Sequence, residues 1–120
     1  MTSTREAIFD FQYSEKMKSG FIIGSNLLDH LLTFKEEGEQ MGGKKMLMMY
    51  LEGLLRELRL VRNVVGFDHY GELERKLMET IGRIQMSQFE EAQRSFSEGI
   101  SLATTSCQAS MNILLEMKLV

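Results

Sequence analysis

The chain has 120 residues, enough for one hydrophobic core, and we expect residues 1–120 to form a single helical-bundle domain. Its formal net charge of −3 gives the whole molecule no electrostatic attraction to nucleic acid or to anionic membranes, so nucleic acid is not an expected partner. The chain contains no proline and ten glycines, which indicates long helices separated by glycine turns.

The cysteine content and the apolar runs bear on location. Cys107 is the single cysteine, so an intrachain disulfide cannot form and a reducing compartment is expected. No apolar run reaches the roughly 18 residues that a membrane span requires. The start of the chain lacks the basic and apolar segments of a signal peptide. We therefore expect a cytoplasmic protein with no membrane partner.

The first third of the chain has a helical pattern. Ser3 and Glu6 form a capping-box sequence, S-x-x-E, which is typical of a helix start. Apolar and small residues then recur at steps of three and four from Phe9 to Leu31. These features predict one helix over about 3–37. Phe9, Phe11 and Tyr13 also alternate as in a short strand, but no second strand-like run exists to pair with it, so the helix is preferred.

The central segment, about 44–65, has the clearest amphipathic pattern. Its apolar seam predicts a helix packed lengthwise on other helices, and comprises Leu47, Leu51, Leu54, Leu58, Val61 and Val65. Met46 and Met48 are expected to widen this seam. Gly38 and the pair Gly42–Gly43 are predicted to form the turn between the first two helices.

Two further helices are predicted in the second half. Asp68 is a candidate N-cap for a helix over about 69–86. Ser87 and Glu90 form a second capping box before a helix that begins near Phe89 and continues almost to the end of the chain. The sequence therefore predicts an all-α fold, a four-helix up-and-down bundle with long first and last helices.

Unequal helix lengths predict an exposed apolar end. Laid side by side, the two middle helices leave residues 3–12 and 107–120 as a projecting helix pair. The apolar residues of this pair predict an interface, and they are Ile8, Phe9, Phe11, Met111, Leu114, Leu115 and Met117. A homodimer is the expected assembly, with a helical protein as another possible partner. The alternative is that the chain ends fold back on the bundle or fray.

Metal and cofactor sites are not expected. The chain has two histidines and one cysteine, and it lacks the Glu-x-x-His pairs of di-iron bundles as well as a four-ligand zinc pattern. Phosphate loops and dinucleotide fingerprints are absent from the sequence. We therefore predict no cofactor.

The segment RNVVGFDHY offers a possible catalytic pair. Arg62 is followed by Asn63, and His69 comes after six intervening residues. This arrangement resembles the motif of the HEPN family, helical-bundle nucleases and nucleic-acid binders. The resemblance implies a ribonuclease or RNA-binding dimer in which Arg62 holds the scissile phosphate, His69 serves the 2′-hydroxyl chemistry and Asn63 supports them. The alternative is that Arg62 ends a solvated helical face and His69 sits in a turn beside Asp68.

A basic strip on the outer side of the second helix allows a related interpretation. It consists of Lys44, Lys45, Arg56, Arg59 and Arg62, and it would suit phosphates or an acidic partner, although solubility is the ordinary role of such a strip. The leading prediction is a non-enzymatic helical interaction module that self-associates through its terminal helices. The HEPN-like activity is the alternative prediction.

Overall fold

A computed structural model describes residues 4–65 and 68–118, which form four α-helices joined by short turns. Each helix packs antiparallel to the next, and the last packs against the first; within the described ranges the backbones of the diagonal pairs do not approach closely. The predicted all-α four-helix bundle with long first and last helices is therefore confirmed. The helices are α1 (Thr4–Leu31), α2 (Glu37–Val65), α3 (Asp68–Gln85) and α4 (Phe89–Glu116).

The segment that allowed a short strand is helical. Phe9, Phe11 and Tyr13 all lie in α1, and the rings of Phe9 and Tyr13 stack with their centroids 4.6 Å apart. A spacing of four residues brings two side chains together on one face of a helix, which is why these two rings meet. Ser3, which belongs to the predicted capping box, lies outside the described residues.

The turn between α1 and α2 differs from the prediction. The structure ends α1 at Leu31 and not near residue 37, because Thr33 binds the free carbonyl of His30 through both its N–H (3.0 Å) and its hydroxyl (2.6 Å). Gln40 donates its side-chain amide to the Phe34 carbonyl at 2.7 Å. These bonds hold residues 32–36 as the turn.

The glycines predicted as that turn lie inside α2 instead. Gly38 and the pair Gly42–Gly43 occupy the first two turns of a helix that is 29 residues long. A Cβ on Gly43 would lie 2.8 Å from Leu31, so the glycine lets the end of α1 sit directly on α2. Tertiary packing here outweighs the low helix propensity of glycine.

The turn between α3 and α4 contains a second correction. Ser87, predicted as the N-cap of α4, adopts a positive φ of 58° and belongs to the end of α3. Its N–H binds the Ile84 carbonyl at 2.9 Å, and the Gln88 N–H binds the Arg83 carbonyl at 2.8 Å. The N-cap is Gln88, which makes no side-chain cap bond. The predicted cap of α3 rests on the Asp68 side chain, which lies outside the described part of the structure.

The hydrophobic core follows the predicted seam of α2 with one exception. Leu47, Leu51, Leu58 and Val61 are buried, as is Leu54, whereas the side chain of Val65 lies outside the described part of the structure. Met46 is 74 % exposed, so its predicted place on the seam is wrong. The neighbouring Met48 is partly buried against the core, whereas Met49 faces outward.

The helices α1 and α4 meet through two matched contacts between a glycine and a phenylalanine. A Cβ on Gly24 would lie 2.6 Å from the Phe96 ring, and one on Gly99 would lie 2.5 Å from the Phe21 ring. Both rings are fully buried. Each glycine therefore provides the space into which the ring of the other helix fits.

We expect Gly99→Ala to destabilise the protein by about 1–3 kcal/mol, because the added methyl group overlaps the Phe21 ring in a closely packed core. The matched control is Gly82→Ala in α3, where a Cβ meets nothing within 4 Å. Better helix propensity should make this control more stable by up to about 1 kcal/mol. Urea unfolding followed by circular dichroism measures both, and equal effects of the two substitutions would contradict the packing argument.

Candidate interaction surfaces

The helix α4 extends well past the end of α3. Lys76 Nζ in α3 lies 3.5 Å from Glu98 Oε1 in α4, which fixes the level at which these antiparallel helices pair. Because α3 begins at Asp68, it reaches along α4 only to about the level of Ser106. From Cys107 onward, α1 is the helical neighbour of α4 within the described residues.

The helix α1 is covered further than its predicted overhang implies. Lys16 forms an ion pair with Glu57, and α2 then continues to Val65. Equal steps along the two antiparallel helices bring the end of α2 to about the level of Ile8. Since the first turn lies at 32–36, α2 is shifted toward the start of α1. We use the name terminal pair for the two segments 4–12 and 107–118.

The predicted interface residues of the terminal pair divide between two faces. Leu114 is buried between the two helices, and Phe9 packs against the core. Ile8 and Leu115 are 41 % and 51 % exposed, respectively. The remaining three are partly exposed, and they are Phe11, Met111 and Met117. That these residues form an interface stays a prediction. The exposed and partly exposed residues among them are the ones that a partner could contact.

A polar junction fixes the terminal pair against the rest of the bundle. The hydroxyl of Tyr70 in α3 donates a hydrogen bond of 2.9 Å to Asp10 Oδ1 in α1, and the hydroxyl of Ser110 in α4 donates to Asp10 Oδ2. Burial, reinforced by the hydrogen bond to Asp10, raises the pKa of the Tyr70 phenol, which therefore stays protonated as a donor. One carboxylate thus joins three helices at the point where α3 begins.

Cys107, beside this junction, has an unreactive environment. Burial first, and then the nearby charge of Glu15, raise the pKa of its thiol to about 11. The thiol is therefore protonated near neutral pH, whereas nucleophilic cysteines need the thiolate. Cys107 contributes to the packing of α4 on α1.

The residues of the HEPN-like motif are placed as follows. Glu74 accepts a hydrogen bond from Arg59 Nε at 2.7 Å and a second one from Arg62 Nη1. The hydrogen bond from Arg59 is the main reason that the pKa of Glu74 is lowered, and the contribution of Arg62 adds to it. Asn63 is exposed on α2. His69 belongs to α3, and its side chain lies outside the described part of the structure.

The basic strip is largely engaged in holding helices together. Besides Arg59 and Arg62, Lys44 donates to the Gln85 carbonyl at 2.8 Å and to the Ser87 hydroxyl at 3.0 Å. It thereby binds the carbonyl end of α3, where a cation is favourable. Lys45 and Arg56 are exposed. These contacts give most of the strip a structural role between α2 and α3.

A second apolar surface, between α1 and α2, is absent from the sequence prediction. Ile23, Leu27 and Phe34 on the α1 side and Met46 on α2 are all exposed by more than a third. The sequence contains a signal for it in the apolar doublets of α1, Ile22–Ile23, Leu27–Leu28 and Leu31–Leu32. One helical stripe can bury at most one member of each doublet: Leu28 and Leu31 are buried while Leu27 and Leu32 face outward, and both Ile22 and Ile23 are exposed.

Residues 4–65 and 68–118 also bear on metal binding and on membrane insertion. Among residues 4–65 and 68–118, no three His, Cys, Asp or Glu side chains converge as metal ligands would. No helix in these ranges combines the length and the apolarity needed to cross a bilayer. Comparisons with protein-family models, curated proteins and solved structures gave no match. Function is therefore proposed from the geometry of the surfaces.

We expect Glu74→Gln to lower stability by about 1–2 kcal/mol at pH 7, because it removes the anion that binds two arginines. The folded pKa of Glu74 lies below its unfolded value, so its contribution is present above about pH 4.5 and is lost as the pH falls through the folded pKa. The difference in free energy of unfolding between wild type and variant should therefore become smaller at acidic pH. Urea unfolding at pH 7, 5 and 3 measures it.

The control for this experiment is Glu79→Gln, which breaks an exposed pair with Lys76 and should change stability by less than about 1 kcal/mol. If the difference in free energy of unfolding between wild type and Glu74→Gln stays constant from pH 7 to pH 3, the lost stability comes from packing and not from charge.

The HEPN-like prediction has its own measurement. We expect no cleavage of single-stranded RNA by the purified protein, because Arg62 already binds Glu74. Cleavage by the wild type that disappears in His69→Ala would establish the ribonuclease instead. Arg59→Ala serves as the control, since it disturbs the same Glu74 contact without touching the motif.

Proposed function

We propose that the protein is a non-enzymatic helical interaction module that forms a homodimer through its terminal pair. The observation that carries this proposal is the extension of α4 about ten residues beyond α3, with Leu115 half exposed at its end. The segment of α4 that extends beyond α3 lacks the neighbour that covers the rest of this helix on that side.

The inner face of the terminal pair is already used. Ala7, Ser110 and Leu114 are buried, and the Thr4 hydroxyl lies 3.3 Å from Met117 Sδ across the two helices. The outward face holds Ile8 and Leu115 together with the partly exposed side chains described above. The polar junction at Asp10 holds both segments in register, so this outward face is presented without a large ordering cost on binding.

Two terminal pairs related by a two-fold axis would make a second, smaller four-helix bundle. Such an axis places the same patch on both sides of the interface. Ile8 and Leu115 would then be covered by their counterparts in the other copy. The same face would accept a helical partner protein if the copy were absent.

We expect the wild-type chain to be a dimer at tens of micromolar and the double variant Ile8→Glu/Leu115→Glu to be a monomer. Because both side chains are exposed, the variant should keep its helix content, while four buried glutamates would block a symmetric interface. Size-exclusion chromatography with light scattering measures the mass, and circular dichroism checks the fold.

The matched control is Leu60→Glu, on the outer face of α2, where the side chain is 67 % exposed and lies away from the terminal pair. This variant should remain a dimer. A monomeric wild type at these concentrations refutes self-association, and a dimer that survives the double variant assigns the interface to another surface.

A further inference from the structure

Two adjoining hollows, of about 810 and 470 Å³, form a groove along the outer side of the α1–α2 pair. They meet at Tyr50, whose hydroxyl donates a hydrogen bond of 3.0 Å to the Gly20 carbonyl and so crosses from α2 to α1 at the bottom of the groove. One end lies at Phe34 and Glu39 beside the first turn, and the other lies at the Lys16–Glu57 ion pair. We call this the α1–α2 groove.

The walls of the groove are apolar and accessible. Met46 is 74 % exposed, Ile23 48 % and Leu27 41 %. Methionine fits many partner shapes because its side chain is unbranched and polarizable. The charged residues lie at the two ends of the groove, and the polar group between them is the Tyr50 hydroxyl. Exposed apolar side chains arranged in this way are typical of a site that binds another protein.

The floor of the groove contains glycines that the bundle itself does not need. A Cβ on Gly42 would meet nothing within 4 Å, and a Cβ on Gly53 would meet only the end of the flexible Arg56 side chain, at 3.8 Å. Each helical glycine costs up to about 1 kcal/mol relative to alanine. What these two positions provide is room for a partner's backbone to come close to α2.

The dimensions and charges of the groove describe its occupant. From Leu31 to Lys16, the α1 wall is about 23 Å long at the helical rise of about 1.5 Å per residue, which corresponds to a helix of about 16 residues. The 35–39 segment at the turn end carries three exposed glutamates and one lysine. At the other end, Lys16 and Glu57 neutralise each other. The groove is thus apolar along its length and acidic at one end.

We propose that the α1–α2 groove binds an amphipathic helix of another protein, with its apolar face on Leu27 and Met46 and with Lys or Arg residues over Glu36, Glu37 and Glu39. Helix binding in an apolar groove uses anchors at i, i+3 or i+4, and i+7, which match the groove length. Opposite charges at one end fix the direction of the bound helix. The site is separate from the terminal pair, and it does not depend on self-association.

The test begins with a display library of random 16-residue peptides, selected on the wild-type protein and counter-selected on Met46→Glu. We expect the enriched peptides to share the helical apolar period and an excess of Lys and Arg at one end. If no peptide is enriched in a way that depends on Met46, the proposal is overturned. Enrichment of peptides with acidic ends overturns its charge assignment.

The second step measures affinity for one synthetic enriched peptide by fluorescence anisotropy. We expect binding at least tenfold weaker to Met46→Glu and to Leu27→Glu, and about three- to tenfold weaker to Glu37→Lys/Glu39→Lys. Met78→Glu, on the exposed side of α3, should leave the affinity unchanged. Equal affinity of wild type and Met46→Glu places the peptide elsewhere and overturns the proposal.

A glycine variant separates binding from folding. Gly53→Ala should raise the melting temperature, since it improves helix propensity at a position with no close neighbour, and yet weaken peptide binding severalfold. If Gly53→Ala raises the melting temperature but leaves the affinity for the peptide unchanged, the peptide backbone does not come close to Gly53. If the wild type alone is a dimer that Met46→Glu converts to a monomer, a second copy occupies the groove, and the proposed partner is wrong.

Discussion

The close approach of α1 and α4 is the constraint on which the other features of the structure depend. The rings of Phe21 and Phe96 each lie against a glycine of the opposite helix, and a methyl group at either glycine would overlap the ring. The backbones can therefore run side by side over nearly the whole length of both helices. Because this pair is continuous, it reaches past the end of α3 and sets the elongated shape, about 53 by 24 by 17 Å.

Polar contacts at the edges of this core fix how α2 and α3 sit on the pair formed by α1 and α4. Asp10 joins Tyr70 and Ser110, and Glu74 joins Arg59 and Arg62. Each contact uses one carboxylate to connect two or three helices. These bonds hold the helices in fixed positions and pair charged groups that would otherwise have no partner. The strip that resembles a phosphate-binding surface in the sequence is largely a structural link between α2 and α3.

Two outward apolar surfaces remain after these contacts are made, and they lie on different parts of the molecule. We propose that the terminal pair binds a like copy. We propose that the α1–α2 groove, which is apolar and has glutamates at one end, binds a helix of another chain. A module that assembles with itself at one surface and receives a partner helix at another would bring two partner molecules together.

The amino-acid sequence by itself determined the class of fold, because the three-and-four spacing of apolar residues in 44–65 and in α4 can be buried only by helices packed lengthwise. It also indicated that α4 extends beyond α3. Tertiary structure decided the rest. Gly42 and Gly43 became helical because Leu31 fits against Gly43, and Ser87 became the end of α3 because Lys44 and the local carbonyls hold it there. It also decided that Leu27 and Leu32 face outward and that Ile22 and Ile23 are both exposed, since burial depends on which neighbouring helix lies beside a residue and not on the residues of one helix alone.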